Sequence, residues 1–250
     1  MKKISELLRF WLSGIRVYIA LATILLTLAV WWWGRTVFGG TQLEAIRIQE
    51  AYGWLSVLCL ALVLMIGPLT KLVPHLPGKE IVFDSRRALG LSAAWFSLLH
   101  ALIVYFKQFQ GSNPLQLPTT YQQAMLLGVI ALLILGAMAA TSVNAIIKHW
   151  GIWWFRLHRL IYFAVVVILV HTFMIGAHAT QTGALVTLGI IALIWIIANI
   201  LILARSPEVK PLKVATICLA ILVIAITMAY GIRQQHEATR TAAAAEHTHR

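Results

Sequence analysis

Nine histidines occur in this 250-residue chain, and three stand where a polar ring needs a reason. His100 lies within Leu98-Leu99-His100-Ala101-Leu102 and His171 within Leu169-Val170-His171-Thr172-Phe173, each deep in an uncharged apolar run. His158 opens the second of those runs, in Phe155-Arg156-Leu157-His158-Arg159-Leu160. An imidazole among apolar neighbours has two ring nitrogens to satisfy, so it is hydrogen-bonded in packing, functional, or a ligand. Depth separates these readings. His100 is 13 residues past Arg87 and His171 is 12 past Arg159. At ~1.5 Å per helical residue, both rings sit roughly 18–20 Å from those cations. Two neutral imidazoles brought to one height by parallel helices can grip a flat ligand from both faces. Haem iron is the ligand that takes two on one axis inside an apolar bundle. Zinc asks for more nitrogen, sulfur or carboxylate donors, and no carboxylate falls within a span.

His158 precedes His171 by 13 residues, level with Arg86 and Arg87. That is roughly 20 Å along a helix axis, room for a second haem beneath the first. The matching position on the third span is Arg87, however, and 13 residues at 100° each leave the two rings about 140° apart around an ideal helix. A shared face therefore needs a local distortion or different helix neighbours. Alternatively, His158 with Arg86, Arg87, Arg156 and Arg159 forms a basic rim. Such a rim suits haem propionates, the phosphate of a flavin such as FMN, or anionic lipid. The other histidines fall at span ends, in loops or in the tail: His75, His149, His178, His236, His247 and His249.

The elements that must carry these residues follow from composition. The chain is 60% hydrophobic and 11% charged, where soluble domains carry about 25% charge. It belongs in a bilayer. Charges act as fences, since one at the membrane centre is costly. Arg16 to Arg35 encloses 18 uncharged residues, Glu50 to Lys71 encloses 20, and Arg87 to Lys107 and Lys213 to Arg233 enclose 19 each. Each approaches the roughly 20 residues of a membrane-crossing helix. The gap from Lys107 to Lys148 begins with loop chemistry and leaves one span, 121–146. The gap from Arg159 to Arg205 breaks near His178-Ala179-Thr180-Gln181-Thr182-Gly183 into two. The expectation is an all-α polytopic bundle of about seven transmembrane helices.

Orientation follows the cations. With the amino terminus cytoplasmic, 14 of the 20 Lys and Arg lie in inner segments. Trp31-Trp32-Trp33 and the group Trp150, Trp153 and Trp154 then read as aromatic belts at opposite interfaces. The net charge of +12 is thereby assigned to loops rather than to nucleic acid. The first span is long for a signal peptide and lacks a clear small-x-small cleavage pattern, so it reads as a retained anchor. Cys59 and Cys218 both lie in apolar runs and suggest no disulfide framework.

Three stretches carry a resemblance to a known family: Gly53-Trp54-Leu55 leading to Gly67-Pro68-Leu69; Ser85-Arg86-Arg87-Ala88-Leu89-Gly90-Leu91 followed by Leu99-His100; and Thr141-Ser142 before Leu157-His158-Arg159 and His171. Together they resemble the ferric-reductase-type transmembrane haem domain. More closely, they resemble the haem-binding membrane subunits of bacterial periplasmic methionine-sulfoxide reductase systems. The likeness covers about residues 50–205, six helices counting the first. It implies a b-type cytochrome moving electrons across the inner membrane, with His100 and His171 as the axial pair and His158 as a third functional histidine. It also implies Arg86 and Arg87 as paired arginines near an inner cofactor site. On this reading residues 1–210 form the haem domain, 211–232 an extra transmembrane helix and 233–250 a disordered outer tail. Haem b is the expected cofactor, in one or two copies, with FMN a further candidate. The expected partners are lipid, a separate inner donor (flavin reductase or quinol) and an outer acceptor reductase. Two alternatives stay open: a quinol-linked cytochrome b anchor of another oxidoreductase or a ferric reductase, and a cofactor-free transporter or structural membrane protein.

Overall fold

A computed structural model of the chain describes residues 14–73, 78–111, 113, 116, 119–175 and 182–204. The described residues hold eight α-helices: α1 Ile15–Phe38, α2 Leu43–Leu72, α3 Lys79–Ile103, α4 Thr119–Ala140, α5 Asn144–Trp150, α6 Ile152–His158, α7 Leu160–Ile175 and α8 Thr182–Ala204. A π-helical turn, Val104–Gln108, continues α3, and no strand occurs among the described residues. Five stretches are long and apolar enough to cross a membrane: Ile15–Phe38, Leu43–Leu72, Lys79–Gln108, Tyr121–Ala140 and Ile152–Met174. The architecture is an all-α, multi-pass membrane bundle. Large side chains such as Leu25, Trp32 and Leu133 stand exposed on helix surfaces. Water penalises that arrangement and lipid does not. The seventh expected span, 214–232, and the tail lie outside the described residues.

The described residues divide into two compact units, those up to 116 together with 129–164, and 119–128 together with those from 165 to 204. In the first, α2 packs along α3, and α1 lies against both. Tyr52 and Phe96 are buried between them with ring centroids 6.2 Å apart. Small residues on α3 let the backbones approach, and hydroxyls bond across the seam. Ser56 Oγ donates to the Ala93 carbonyl at 3.0 Å and pairs with Ser97 Oγ at 2.7 Å. Thr23 Oγ1 meets Ser92 Oγ at 2.7 Å. The α3 helix starts from Gly78, whose φ of +77° is left-handed backbone that glycine adopts without strain.

Two boundaries differ from the sequence expectation. The fourth span ends at Ala140 rather than near residue 146. Thr141 Oγ1 and Ser142 Oγ donate back to the Ala137 and Met138 carbonyls, at 2.8 and 2.7 Å, and Val143 is extended. Such back-bonding offers carbonyls a side-chain partner in place of continued helix. Secondly, His158 closes a short helix instead of opening a long one. The Arg159 N–H lies 3.2 Å from the Phe155 carbonyl and 3.3 Å from that of Arg156, and the Tyr162 N–H reaches the Arg159 carbonyl at 3.3 Å. The two i,i+3 bonds, to the Arg156 and Arg159 carbonyls, tighten the turn between His158 and α7.

Candidate functional site

Each of the two deep histidines is held by the main chain of a neighbouring helix. His100 on α3 places Nδ1 2.9 Å from the Gln49 carbonyl of α2. His171 on α7 places Nδ1 2.7 Å from the Ala124 carbonyl of α4. A carbonyl only accepts, so in both rings Nδ1 carries the hydrogen. A neutral ring of that tautomer has its lone pair on Nε2, the nitrogen through which it would ligate a metal. A ligating histidine is oriented in this way when its other nitrogen donates to a carbonyl, which also raises the ring's basicity. His100 belongs to the first compact unit and His171 to the second.

His158 is held differently. Its Nδ1 lies 3.0 Å from the carbonyl of Trp154, one turn back on its own helix. The two rings stack with centroids 3.8 Å apart, and the Trp154 indole N–H is fixed by the Thr141 carbonyl at 3.0 Å. His158 lines a cavity of about 320 Å³ within the first unit. Arg86, Arg87 and Arg159 border it, apolar walls come from Leu60, Val63 and Leu135, and Tyr162 and Ser142 add hydroxyls. Arg87 Nη1 donates to Asn144 Oδ1 at 2.6 Å, which ties α3 to α5 beside the cavity.

The structure therefore brings His158, Arg86, Arg87 and Arg159 to one apolar-walled, cationic cavity. Arg156 lies outside its lining, exposed, with its guanidinium 4.6 Å from the Trp153 ring centroid. Several contributors escaped the sequence reading. The Gln49 and Ala124 carbonyls are main-chain atoms and carry no sequence signal. Trp154 reads from sequence as one more interfacial tryptophan. Gly53 and Gly128 pack against the rings of His100 and His171, and glycine in an apolar helix is equally suited to helix packing. Among the described residues, no three His, Cys, Asp or Glu side chains converge as a metal cage. Each anchored imidazole, taken by itself, has the tautomer of an axial ligand to a prosthetic group that brings its own equatorial donors.

Residues 52–169 match the family model described as ferric reductase like transmembrane component. The stretch takes in His100, His158 and the four arginines and stops just short of His171. The chain is similar to the protein-methionine-sulfoxide reductase heme-binding subunits MsrQ of Brucella ovis, Brucella canis and Brucella suis, with 32% identity over 130 residues in each case. The alignment covers 50% of this chain and 58% of each relative, so the chain spans little more than half the length of the curated relatives it matches. No solved structure matches.

Proposed function

From a chain that carries a ferric reductase-like transmembrane domain over residues 52–169, we propose a b-type cytochrome of the bacterial inner membrane, spanning residues 1–210, that carries electrons outward. The observation that carries the reading is the matched anchoring of His100 and His171, each with Nδ1 held by a carbonyl of a neighbouring helix at 2.9 and 2.7 Å. That anchoring presents Nε2 as ligand atom in both rings and removes their rotational freedom in advance. Bound haem supplies a one-electron couple, and the chain's burial and axial ligands set its potential. His100 and His171 would be the residues that hold its iron.

His158, Arg86, Arg87 and Arg159 serve the donor side at the cytoplasmic end, an orientation supported by the bias of Lys and Arg. Their cavity receives the electron source, a quinol or FMN, or the propionates of a second haem, with Arg156 at the outer rim of the basic patch. Arginine forks favour phosphate and carboxylate, while the apolar walls favour a quinol ring. A quinol-fed cytochrome is thus the second reading, carried by those walls. The acceptor is an outer-side reductase, and the names of the relatives point to a protein-methionine-sulfoxide reductase.

The test is a visible spectrum of protein purified in detergent after expression with ample haem, with iron and flavin quantified. Low-spin haem is expected in the wild type, and loss of that spectrum in both His100→Ala and His171→Ala. His158→Ala is expected to keep it while slowing reduction by donor. Colourless wild-type protein, or loss of all haem in His158→Ala alone, refutes the assignment.

A further inference from the structure

A helical carbonyl is poorly accessible from the side. It already accepts the intrahelical bond of residue i+4, and the Cα–Cβ bond of that residue tilts back toward the amino terminus. A helical side chain therefore covers the surface over the preceding turn. The second lone pair of the carbonyl at i is reached most easily when residue i+4 has no Cβ. The two helices that hold the deep histidines share this arrangement. His100 bonds the Gln49 carbonyl and residue 53 is glycine; His171 bonds the Ala124 carbonyl and residue 128 is glycine. A Cβ at position 53 would lie 3.3 Å from His100 Nδ1. At position 128 it would lie 2.9 Å from His171 Cε1 and 3.1 Å from Nδ1. Both helices contain another glycine that serves as an internal comparison. At Gly67 in α2 and Gly136 in α4, a Cβ would meet nothing within 4 Å.

We propose that Gly53 and Gly128 are positioning residues for the two imidazoles: the missing Cβ opens the carbonyl one turn earlier, and that carbonyl fixes the tautomer and rotation of the ring. The inference rests on the haem reading for its spectroscopic consequence, but the tautomer itself is a property of the chain. Alanine at either position pushes the ring off its carbonyl. The imidazole swings on its own torsions rather than displacing a helix, so the change falls on the ligand and not on the fold. Gly128, with the closer approach, is the more sensitive. The sign follows from basicity. A ring that loses its Nδ1–H bond to a carbonyl is a weaker donor, which favours ferrous over ferric iron and raises the midpoint potential.

The experiment compares the full-length protein with Gly53→Ala, Gly128→Ala, Gly67→Ala and Gly136→Ala, by redox titration and by electron paramagnetic resonance of the ferric haem. Gly128→Ala is expected to change the ratio of reduced to oxidised haem at fixed poise by about tenfold, a rise of ~59 mV for a one-electron couple, with displaced low-spin signals. Gly53→Ala is expected to shift the same way by less, and Gly67→Ala and Gly136→Ala to overlay the wild type. Haem-loaded Gly53→Ala and Gly128→Ala that both overlay the wild type overturn the proposal, as do equal shifts in the two comparison variants. Should Gly128→Ala not accumulate, Gly53→Ala decides. Should the wild type carry no haem, the cytochrome reading falls, and nitrogen-15 histidine spectra decide the positioning role. A protonated Nδ1 at His171 that is lost in Gly128→Ala supports it, and an unchanged tautomer overturns it.

Discussion

Filling the cavity beside His158 tests the proposed donor site apart from the proposed haem ligands. Gly90 lines that cavity, and a Cβ placed on it meets nothing within 4 Å, so a larger side chain enters space rather than a wall. Four leucine side-chain carbons, each taken at about the ~30 Å³ of a water molecule, remove roughly 120 Å³. Against a cavity of about 320 Å³, that is more than a third. Tryptophan, with ten side-chain atoms, removes roughly 300 Å³ on the same basis and nearly closes it. Helix stability moves the other way, because replacing an interior helical glycine gains roughly 0.5–1 kcal/mol. Lost function in these variants is therefore not lost fold. The assay is stopped-flow reduction of the haem by a short-chain quinol and by reduced FMN, with dithionite as a donor that needs no site. Gly90→Leu is expected to slow reduction by the natural donor class about tenfold, and Gly90→Trp further. Haem content and the dithionite-reduced spectrum stay at wild-type values. If Gly90→Trp accepts electrons from both donors at the wild-type rate, the cavity is not the donor site.

Two further perturbations follow. Arg87→Lys keeps the charge but loses the planar fork that bonds Asn144 at 2.6 Å. Slower reduction by FMN is expected, with the neutral quinol unaffected and thermal stability changed by less than ~1 kcal/mol; equal slowing by both donors argues against a phosphate role. Gly34 packs α1 against α2 so closely that a Cβ there would clash with the Ile48 side chain. Gly34→Ala is expected to destabilise the protein by about 1–3 kcal/mol in a detergent melt, and Ile48→Ala in the same chain to recover part of that loss; additive losses refute the contact.

How much of this was legible in the residues depends on which atoms carry the interaction. The five apolar spans were legible because a charge inside a bilayer is costly enough to leave uncharged runs of the right length. The ends of α4 and α6 were not, because they are set by which main-chain carbonyls the local hydroxyls and N–H groups reach. The hydroxyls of Thr141 and Ser142 fold back on α4, and the Arg159 N–H lies between two carbonyls. The same division runs through the candidate site. Sequence exposes His100, His158 and His171 as polar rings among apolar neighbours, but every residue owns a carbonyl, so it cannot say which carbonyl each ring meets. That hidden half distinguishes the three. His158 is bonded within its own helix and stacked on Trp154, so its ring is set locally and faces the arginine-lined cavity. His100 and His171 are each bonded by a neighbouring helix, four residues ahead of a glycine. Sequence depth already matches His100 to His171 and sets His158 roughly 20 Å away along the helix axis. The shared anchoring of His100 and His171 supports the proposal that those two are the pair, with His158 proposed for the separate task of meeting the electron donor.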